Sequence, residues 1–448
     1  MPTLRCAALV AAVLTVLPWL PAQVAPPVPS PSPAAPMVVT DRFLFVLRGD
    51  VLYQLDVYTL RVLNTHRFEA GPAALPQRAP GSVSETAVVE PPPPPPPPPE
   101  MTPEAMSASI DLSLTWLAKH QDDEGKWDCD GFFKHDDVAG GVCDGPGNAT
   151  HDVGVTGLAL LAFLGNGNTM RSGPHKDTVR MAVSWLRSQQ GEDGLIGVRT
   201  ARDFIYDHAI ATFALCEAYG LSGHETLKPC AQKAIDYLES HRNPYSVWRY
   251  QPRDNDNDTS VTTWAVLALE SGKFFGLQVN QDALKLAAQW YDQVTSPDGR
   301  AGYTKQGEGS SRLQGDHGTR FPVEHGETMT AAALFARFCL GQSPEKTPIL
   351  KASADLLASK PPKWEPGHVD AVYWYFGTYA MYQMGGAHWT NWSRALGTLL
   401  EHQRRDGNAA GSWDPVGVWD VTGGRVFVTA LDTLSLEASA REAKLKKK

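Results

Sequence analysis

Five acidic residues stand at or just before the starts of segments that are apolar on almost every side. Carboxylates are favoured at helix N-termini, because the free backbone N–H groups and the helix dipole stabilise the anion. If the segments are helices that run in parallel, all five carboxylates lie around one mouth of the molecule. Such a mouth would attract cations or cationic ligands. The five residues are Asp152, Asp207, Asp258, Glu327 and Asp370.

Some of these acids have neighbours that suit catalysis or metal binding. Asp207 is followed by His208, and the two could act as an acid/base pair, although helix capping explains Asp207 equally well. Two carboxylates facing each other about 5–10 Å apart across the mouth would suit a glycosidase or lyase. Two histidines and two acids precede the fourth and fifth apolar segments and form a candidate metal site. These are His325, Glu327, His368 and Asp370. Since His and Glu also serve as caps and solvated residues, we predict no metal or cofactor.

Cys129 and Cys143 lie in one loop that is rich in Gly and Asp. Export would permit a disulfide between them, and closing a loop of this length stabilises a protein by about 3 kcal/mol in the loop-entropy model. We predict this pair as the disulfide and leave two free thiols as the alternative. Cys216 and Cys339 fall within apolar segments, where a cysteine usually acts as a small buried hydrophobe.

The elements that must position these residues are helices of two kinds, which alternate along the chain. In one kind the apolar residues recur with a spacing of three and four, as at Ala231, Ala234, Ile235 and Leu238. These helices are polar on one side and form an outer layer. The other kind is apolar almost all round and must be buried on two sides, as in an inner ring. The predicted inner helices cover residues 153–164, 209–219, 261–269, 328–340, 371–384 and 427–436.

The connections between helices also repeat. HQDDEGKWD, SQQGEDGLIG, VTSPDGRAGY and EHQRRDGNAAGSWD each end a helix near an Asp/Glu-Gly or Asp-Gly pair and continue toward a bulky or aromatic residue. These turns resemble the QW repeats of squalene and terpene cyclases and of protein prenyltransferase β subunits. With phrases such as DVGVTGLALLAFLG and YDHAIATFALCEAYGL, residues 105–438 are most similar to exported bacterial prenyltransferase/squalene-oxidase-repeat proteins of unknown function. The resemblance implies an all-α fold, an α/α toroid of about six helical hairpins.

The resemblance also allows a test for cyclase and transferase chemistry. Squalene-hopene cyclases protonate the substrate with the middle acid of an Asp-x-Asp-Asp-Thr-Ala motif, and the matching position here is Asn257. A shift of one residue would bring Asp256 into play, whereas Asp258 is better explained as a helix cap. No Asp-x-Cys pair matches the zinc ligands of the prenyltransferases. Tyr373 and Trp374 are candidates for lining a cavity, with core packing as the alternative.

The rest of the chain is organised as short segments around this core. Residues 1–22 have the layout of a secretory signal peptide, with an uncleaved membrane anchor as the alternative. Residues 23–40 and 71–104 are Pro-rich linkers, and residues 41–70 alternate like a small β-meander. Residues 439–448 are a basic tail. The net charge of −9 without a basic stripe argues against nucleic acid as a partner.

Together these patterns predict an exported toroid, periplasmic or in the cell envelope, that binds an apolar small molecule or a peptide in a central cavity without protonation-initiated cyclisation. Two alternatives stay open: an isoprenoid-processing enzyme of altered mechanism, and a carbohydrate-active toroid. Contact with a membrane is expected only through an uncleaved N-terminus. The sequence does not predict the oligomeric state.

Overall fold

The computed structural model describes residues 101–445, with side chains through residue 440, and four strands within the first hundred residues. The chain divides into two compact units, Met1–Pro93 and Pro94–Lys448. The predicted signal peptide, most of both Pro-rich linkers and the last three residues of the basic tail lie outside the described residues. Within the described part, no helix combines the length and apolarity needed to cross a bilayer.

The first unit contains one antiparallel sheet whose strands pair in chain order. The second and third strands pair from Phe43 with Asp56 to Arg48 with Val51. The ladder between the third and fourth strands shifts register at Gln54 and Leu55. The strands are β1 (Met37–Val39), β2 (Phe43–Arg48), β3 (Val51–Asp56) and β4 (Val62–Arg67).

The second unit is helical, which confirms the predicted fold class. The inner helices are α2 (Asp152–Gly165), α4 (Ile205–Ser222), α6 (Thr259–Phe274), α9 (Thr328–Cys339), α11 (Ala371–Met384) and α14 (Asp420–Leu445). The outer helices are α1 (Pro103–Lys119), α3 (Lys176–Ser188), α5 (Lys228–His241), α7 (Gln281–Val294), α10 (Ile349–Ala358), α12 (Gly386–Ala395) and α13 (Gly397–His402). A short helix, α8 (His317–Arg320), lies in the connection between α7 and α9.

The six inner helices form a closed ring. Each packs on the next in chain order, and α14 packs back on α2. The outer helices α3, α5, α7, α10 and α12 pack on the inner helices that precede them, and α1 packs on α14. The first outer helix therefore completes the last hairpin, so the two ends of the toroid are joined.

A repeated joint connects neighbouring outer helices. The side-chain amide of Gln190, just after α3, donates to the carbonyl oxygens of Gly194 (3.2 Å) and of Cys230 on α5 (3.0 Å). Gly194 has a φ of +93°, and a Cβ there would overlap the carbonyl oxygen of Lys233 on α5. Gln121 and Gln403 donate in the same way to α3 and α1. The repeated Gln and Gly thus dock each turn on the next outer helix.

The tryptophans of these turns complete the joint by capping the preceding outer helix. Trp127 Nε1 donates to the Leu117 carbonyl (2.7 Å), Trp248 to Leu238 (2.8 Å) and Trp413 to Leu399 (2.8 Å). All three indoles are fully buried. Each carbonyl lies in the last turn of its helix and also accepts from a backbone N–H just beyond the helix, so the indole adds a second hydrogen bond that ties the turn to the helix end.

Aromatic side chains occupy part of the ring interior. Trp264 on α6 stacks on Tyr375 of α11, with ring centroids 5.7 Å apart and planes 9° apart. Because α9 lies between α6 and α11 in the ring, this contact crosses the interior. Phe335 on α9 packs on Tyr379, whose hydroxyl donates to the Leu434 carbonyl of α14 (3.2 Å). Aromatic side chains from different inner helices thus pack against one another in the interior.

Candidate functional site

The structure places each predicted acid at the start of an inner helix. Asp152 begins α2, Asp207 lies in the first turn of α4, and Asp258, Glu327 and Asp370 immediately precede α6, α9 and α11. Asp420, at the start of α14, is a sixth member that the sequence prediction missed, because the apolar run begins only after a kink at Gly424.

Hydrogen bonds connect the starts of neighbouring inner helices, so these starts lie at one end of the ring. The bonds are His151 Nδ1 to Asp207 (3.1 Å), Tyr206 Oη to Ser260 Oγ (2.6 Å), Thr328 Oγ1 to Asp370 (2.9 Å), Val418 N to Val369 O (3.1 Å) and Asn148 N to Thr422 O (2.8 Å). Between α6 and α9 the connection runs through the turn after α7, where Thr259 donates to Gly302 O and Ala301 N donates to Thr330.

Three of these acids lie close to basic side chains. Lys126 lies 2.8 Å from Asp152, Arg249 lies 3.5 Å from Asp258, and Glu327 is held by Arg300 at 2.9 Å and by Lys360 at 2.8 Å. Asp258, Asp370 and Glu327 are also buried. The structure therefore shows three of the carboxylates compensated individually by basic residues, in place of an open acidic mouth formed by all five.

One pocket of about 420 Å³ opens between the starts of α2 and α4. Asp152 and Asp207 both line it, so it contains carboxylates from two adjacent inner helices. Two aromatic residues also line it: Trp185 near the end of α3, and Phe204 just before α4. The α1–α2 connection contributes Lys126, and the turn after α3 contributes backbone and hydroxyl groups.

Asp207 is buried in the wall of this pocket. Burial raises the pKa of its carboxyl, although His151 Nδ1 lies 3.1 Å away and the backbone N–H of Gly154 donates to it. Gly154 allows this approach, since a Cβ at that position would overlap Asp207 Oδ1. Burial lowers the pKa of His151, but the hydrogen bond and charge of Asp207 outweigh that effect and raise it overall. The Asp207–His151 pair thus holds a dissociable proton beside the pocket.

Asp152 lies on the same pocket and is paired with a cation. Its Oδ1 accepts a hydrogen bond from the Cys129 backbone N–H (2.9 Å), and its Oδ2 accepts one from the Lys126 ammonium (2.8 Å). Two carboxyl groups of one pocket are therefore held in contrasting environments, an arrangement that separates a general acid from a general base.

His208 does not form the predicted acid/base pair with Asp207. Its Nδ1 accepts from Ile196 N (3.0 Å) and its Nε2 lies 3.1 Å from the Ala234 carbonyl. Burial lowers its pKa to about 3, so the ring stays neutral. Successive side chains of a helix point about 100° apart, so Asp207 and His208 face different surroundings. The partner of Asp207 is instead His151, from the preceding hairpin.

In the stretch that aligns with the cyclase motif, the side chains form hydrogen bonds or an ion pair with other residues of the protein. Asp258 Oδ1 caps α6 by accepting from Val261 N (2.8 Å) and Ser260 Oγ (2.9 Å), and burial raises the pKa of Asp258 to about 6. Asn257 Oδ1 accepts from Val247 N (3.1 Å). Asp256 is exposed and lies 3.6 Å from Arg249. Neither aspartate lines the pocket between α2 and α4.

The group of His325, Glu327, His368 and Asp370 does not converge on a common point. The two imidazoles stack in parallel, with centroids 3.8 Å apart and planes 7° apart. Ring nitrogens ligate in the plane of the ring, so stacked parallel rings direct their lone pairs side by side. Glu327 is held by Arg300 and Lys360, and Asp370 accepts from Thr328 and Tyr373 N. These four side chains therefore do not form a metal site.

Tyr373 and Trp374 lie in packed surroundings instead of lining an open cavity. Each is 1% exposed. The Tyr373 hydroxyl donates to the Lys360 carbonyl (2.8 Å), and its ring meets Trp392 of α12 edge to face. Trp374 packs on Trp364. Both residues therefore match the core-packing alternative, because they pack against residues that lie outside the ring of inner helices.

Cys129 and Cys143 are both free and buried, so the structure does not contain the predicted disulfide. Cys129 Sγ lies 3.1 Å from the Gly423 carbonyl of α14. Cys143 is held by Asp136, whose Oδ2 accepts from the Cys143 backbone N–H (2.6 Å). The two thiols thus have separate surroundings within one loop.

No protein-family model matches the chain. Among curated proteins, thioester-containing protein 1 of Anopheles gambiae is similar: allele R1 is 26% identical over 164 residues and allele S3 is 29% identical over 162 residues. Each match covers 36% of this chain and 10% of the relative. The chain thus spans about a tenth of the length of the curated relatives that it matches.

Solved structures with a similar fold include three proteins of 12–13% sequence identity. An unsaturated glucuronyl hydrolase specific for heparin has a TM-score of 0.53, covering 78% of this chain and 99% of its own. An alpha-1,6-mannanase from Salegentibacter has a TM-score of 0.52, with 75% and 99% covered. A cellobiose 2-epimerase from Bacillus thermoamylovorans has a TM-score of 0.51, with 75% and 98% covered. At this identity the likeness shows the toroid fold alone.

Proposed function

We propose that this toroid is a carbohydrate-active enzyme that cleaves a glycosidic bond in the pocket between α2 and α4. The observation that carries the proposal is the pair of carboxyl groups lining that pocket in contrasting environments. Asp207, buried beside His151, supplies the proton to the leaving oxygen. Asp152, which accepts hydrogen bonds from Lys126 and the Cys129 amide, serves as base or nucleophile on the other side of the bond.

The rest of the pocket suits a sugar. Trp185 and Phe204 offer aromatic surface, while Thr150, Thr200 and Gln189 supply groups that form hydrogen bonds. A sugar ring combines apolar C–H faces with hydroxyl groups, so it matches a wall of this mixed kind. The similar solved structures agree in fold only, so the support for a glycan substrate comes from the pocket.

The other two functions predicted from the sequence have less support. An apolar ligand in a central cavity would compete with the stacked rings of Trp264 and Tyr375 in the interior. Cyclisation started by protonation would require an available acid at the aligned motif, where Asp258 caps a helix and Asp256 is exposed. Export to the periplasm or cell envelope and membership of the exported repeat proteins are further parts of the proposal, supported by residues 1–22 and by the repeated turns.

The test is hydrolysis by the purified chain of a panel of polysaccharides and aryl glycosides, followed as release of reducing ends or of the aryl group. We expect turnover of at least one substrate, and a loss of about 100-fold or more in kcat in Asp207→Asn and in Asp152→Asn. Asp256→Asn is the matched control, because it removes an exposed acid near another inner-helix start. Sugar binding should persist in Asp207→Asn.

Two results would count against this function. The first is activity in Asp207→Asn and Asp152→Asn equal to that of Asp256→Asn. The second is binding of a glycan without turnover by the unaltered protein, which would favour a binding protein over an enzyme.

A further inference from the structure

A second cluster of side chains with metal-ligating atoms lies at the end of α1, outside the pocket. It consists of His120, Asp136 and Cys143, and one nitrogen, oxygen or sulfur atom from each lies within 4.8 Å of the others. His120 Nε2 is 3.3 Å from Asp136 Oδ1. His120 and Cys143 are buried, and the side chain of Asp136 is 11% exposed. The proposed glycosidase pair uses none of the three residues.

The histidine is oriented by its own helix. Its Nδ1 lies 2.8 Å from the carbonyl oxygen of Trp116 and its ring stacks on the Trp116 indole, with centroids 4.2 Å apart. With the Nδ1 proton donated to that carbonyl, Nε2 presents its lone pair toward Asp136. A ligating histidine is commonly oriented in this way, by a backbone carbonyl on its second nitrogen.

One hydrogen bond orients the Asp136 side chain and holds the backbone of Cys143 beside it. Asp136 Oδ2 accepts from the Cys143 backbone N–H (2.6 Å), which leaves Oδ1 on the side of His120. The loop from Asp136 to Cys143 therefore folds back so that its first and last residues meet the histidine at the end of α1.

We infer that His120, Asp136 and Cys143 form a binding site for a zinc-like divalent cation. A zinc ion makes bonds of about 2.0–2.3 Å to nitrogen, oxygen and sulfur, so tetrahedral ligands lie about 3–4 Å apart. The His120–Asp136 separation of 3.3 Å lies in that range, and the ligand atoms of all three residues lie within 4.8 Å of one another. A thiolate and a carboxylate balance the two charges of the cation. The partly exposed carboxyl of Asp136 leaves a side from which water can complete the coordination.

A cysteine nucleophile is the competing interpretation, and the geometry disfavours it. In a Cys–His–Asp triad the acid and the thiol contact different nitrogens of the imidazole. Here the Trp116 carbonyl occupies Nδ1 and Asp136 faces Nε2, so neither nitrogen is left for the Cys143 thiol. A bound cation supplies the charge that displaces the thiol proton.

The bound cation would fasten the α1–α2 loop to α1. That loop also supplies Lys126 and the Cys129 amide to Asp152, so the site would support the pocket without contacting a substrate. The inference does not depend on the proposed function, because metal binding is measured separately from turnover.

The experiment is a Co²⁺ titration of the full chain after treatment with a chelator, recorded as thiolate-to-cobalt charge-transfer absorbance. We expect about one equivalent of Co²⁺ to produce the band and Zn²⁺ to remove it by competition. Cys143→Ser should abolish the band, and His120→Gln should weaken Co²⁺ binding by about 10-fold or more. Cys129→Ser is the matched control, since it alters the other cysteine of the same loop and should keep the band. Far-UV circular dichroism checks that each variant is folded.

A second measurement covers the case in which Cys143→Ser does not fold. In the unaltered chain, Zn²⁺ should slow alkylation of Cys143 relative to Cys230, as followed by mass spectrometry of the two peptides. The inference is overturned if no thiolate band appears, if the band survives Cys143→Ser, if a folded Cys129→Ser loses it equally, or if Zn²⁺ leaves alkylation of Cys143 unchanged.

Discussion

At the scale of single residues, Asp420 is the acid of the mouth whose charge is least compensated. Its Oδ2 accepts from Gly417 N (2.5 Å), and its Oδ1 has no hydrogen-bond partner among the described residues. Burial, aided by the nearby charge of Asp370, outweighs the Gly417 amide and raises the pKa of Asp420 to about 7. The folded protein therefore binds this proton more tightly than the unfolded chain, in which the pKa of an aspartate is about 4.

From this shift we predict how stability depends on pH. The stabilisation from Asp420 is complete below about pH 4 and is lost as the pH rises through about 7. In Asp420→Asn, the difference in unfolding free energy between about pH 5 and about pH 8 should shrink by about 2 kcal/mol. Urea denaturation at the two pH values measures it, with exposed Asp111→Asn as the control. An unchanged difference in Asp420→Asn would show that this group does not titrate in that window.

At the scale of elements, the turns after the outer helices act as joints. Gly125, after α1, has a φ of +106°, and a Cβ there would overlap the carbonyl oxygen of Met181 on α3. At Gly411, after α13, a Cβ would likewise overlap the carbonyl oxygen of Leu112 on α1. These glycines are required twice, for the backbone conformation and for the close approach of the next helix.

Two glycine substitutions separate these requirements. Gly276 also has a positive φ, +80°, but a Cβ there would meet nothing within 4 Å. Gly276→Ala should therefore cost only the backbone strain, about 1 kcal/mol. Gly125→Ala should cost more, about 3 kcal/mol, because the outer helices must move apart as well. Urea midpoints compare the two variants, and equal losses would argue against the joint.

At the scale of the whole molecule, Arg425 connects the first and last hairpins. Its fully buried guanidinium donates to the carbonyl (2.7 Å) and side chain (2.8 Å) of Asp144, in the α1–α2 loop. It also donates to Ser412 Oγ (3.0 Å) and lies 2.7 Å from Asp414, both just before α14. The packing of α1 on α14 also closes the ring. Arg425 thus fastens the ends of the toroid.

Removing this fastening should weaken the toroid as a unit. Arg425→Leu leaves the Asp144 carbonyl and the Ser412 hydroxyl without this donor and removes one cation from beside Asp144 and Asp414, so we expect a loss of about 3–5 kcal/mol in unfolding free energy. Arg404 pairs with the same Asp414, but its side chain is 36% exposed. Arg404→Leu should cost at most about 1 kcal/mol. The two variants are compared by urea denaturation; similar losses would contradict a special role for Arg425 in closing the ring.

The sequence by itself determined the architecture of the second unit. Segments apolar on all sides can only be buried on all sides, and segments with one apolar stripe must lie between that interior and water. The predicted inner helix at residues 371–384 matches α11, and the other predicted inner helices overlap observed ones. The repeated Gln, Gly and Trp of the turns marked where neighbouring hairpins join, because their roles depend on local backbone geometry.

Only the tertiary structure decided which of these residues act together. Asp207 pairs with His151, 56 residues earlier in the chain, and not with the adjacent His208. Cys143 lies with His120 and Asp136 instead of bridging to Cys129. The aromatic residues of α11 pack against other helices. Pairing and pKa depend on distance and burial, and in a closed ring these are set by helices that are remote in sequence, so no local pattern contains them.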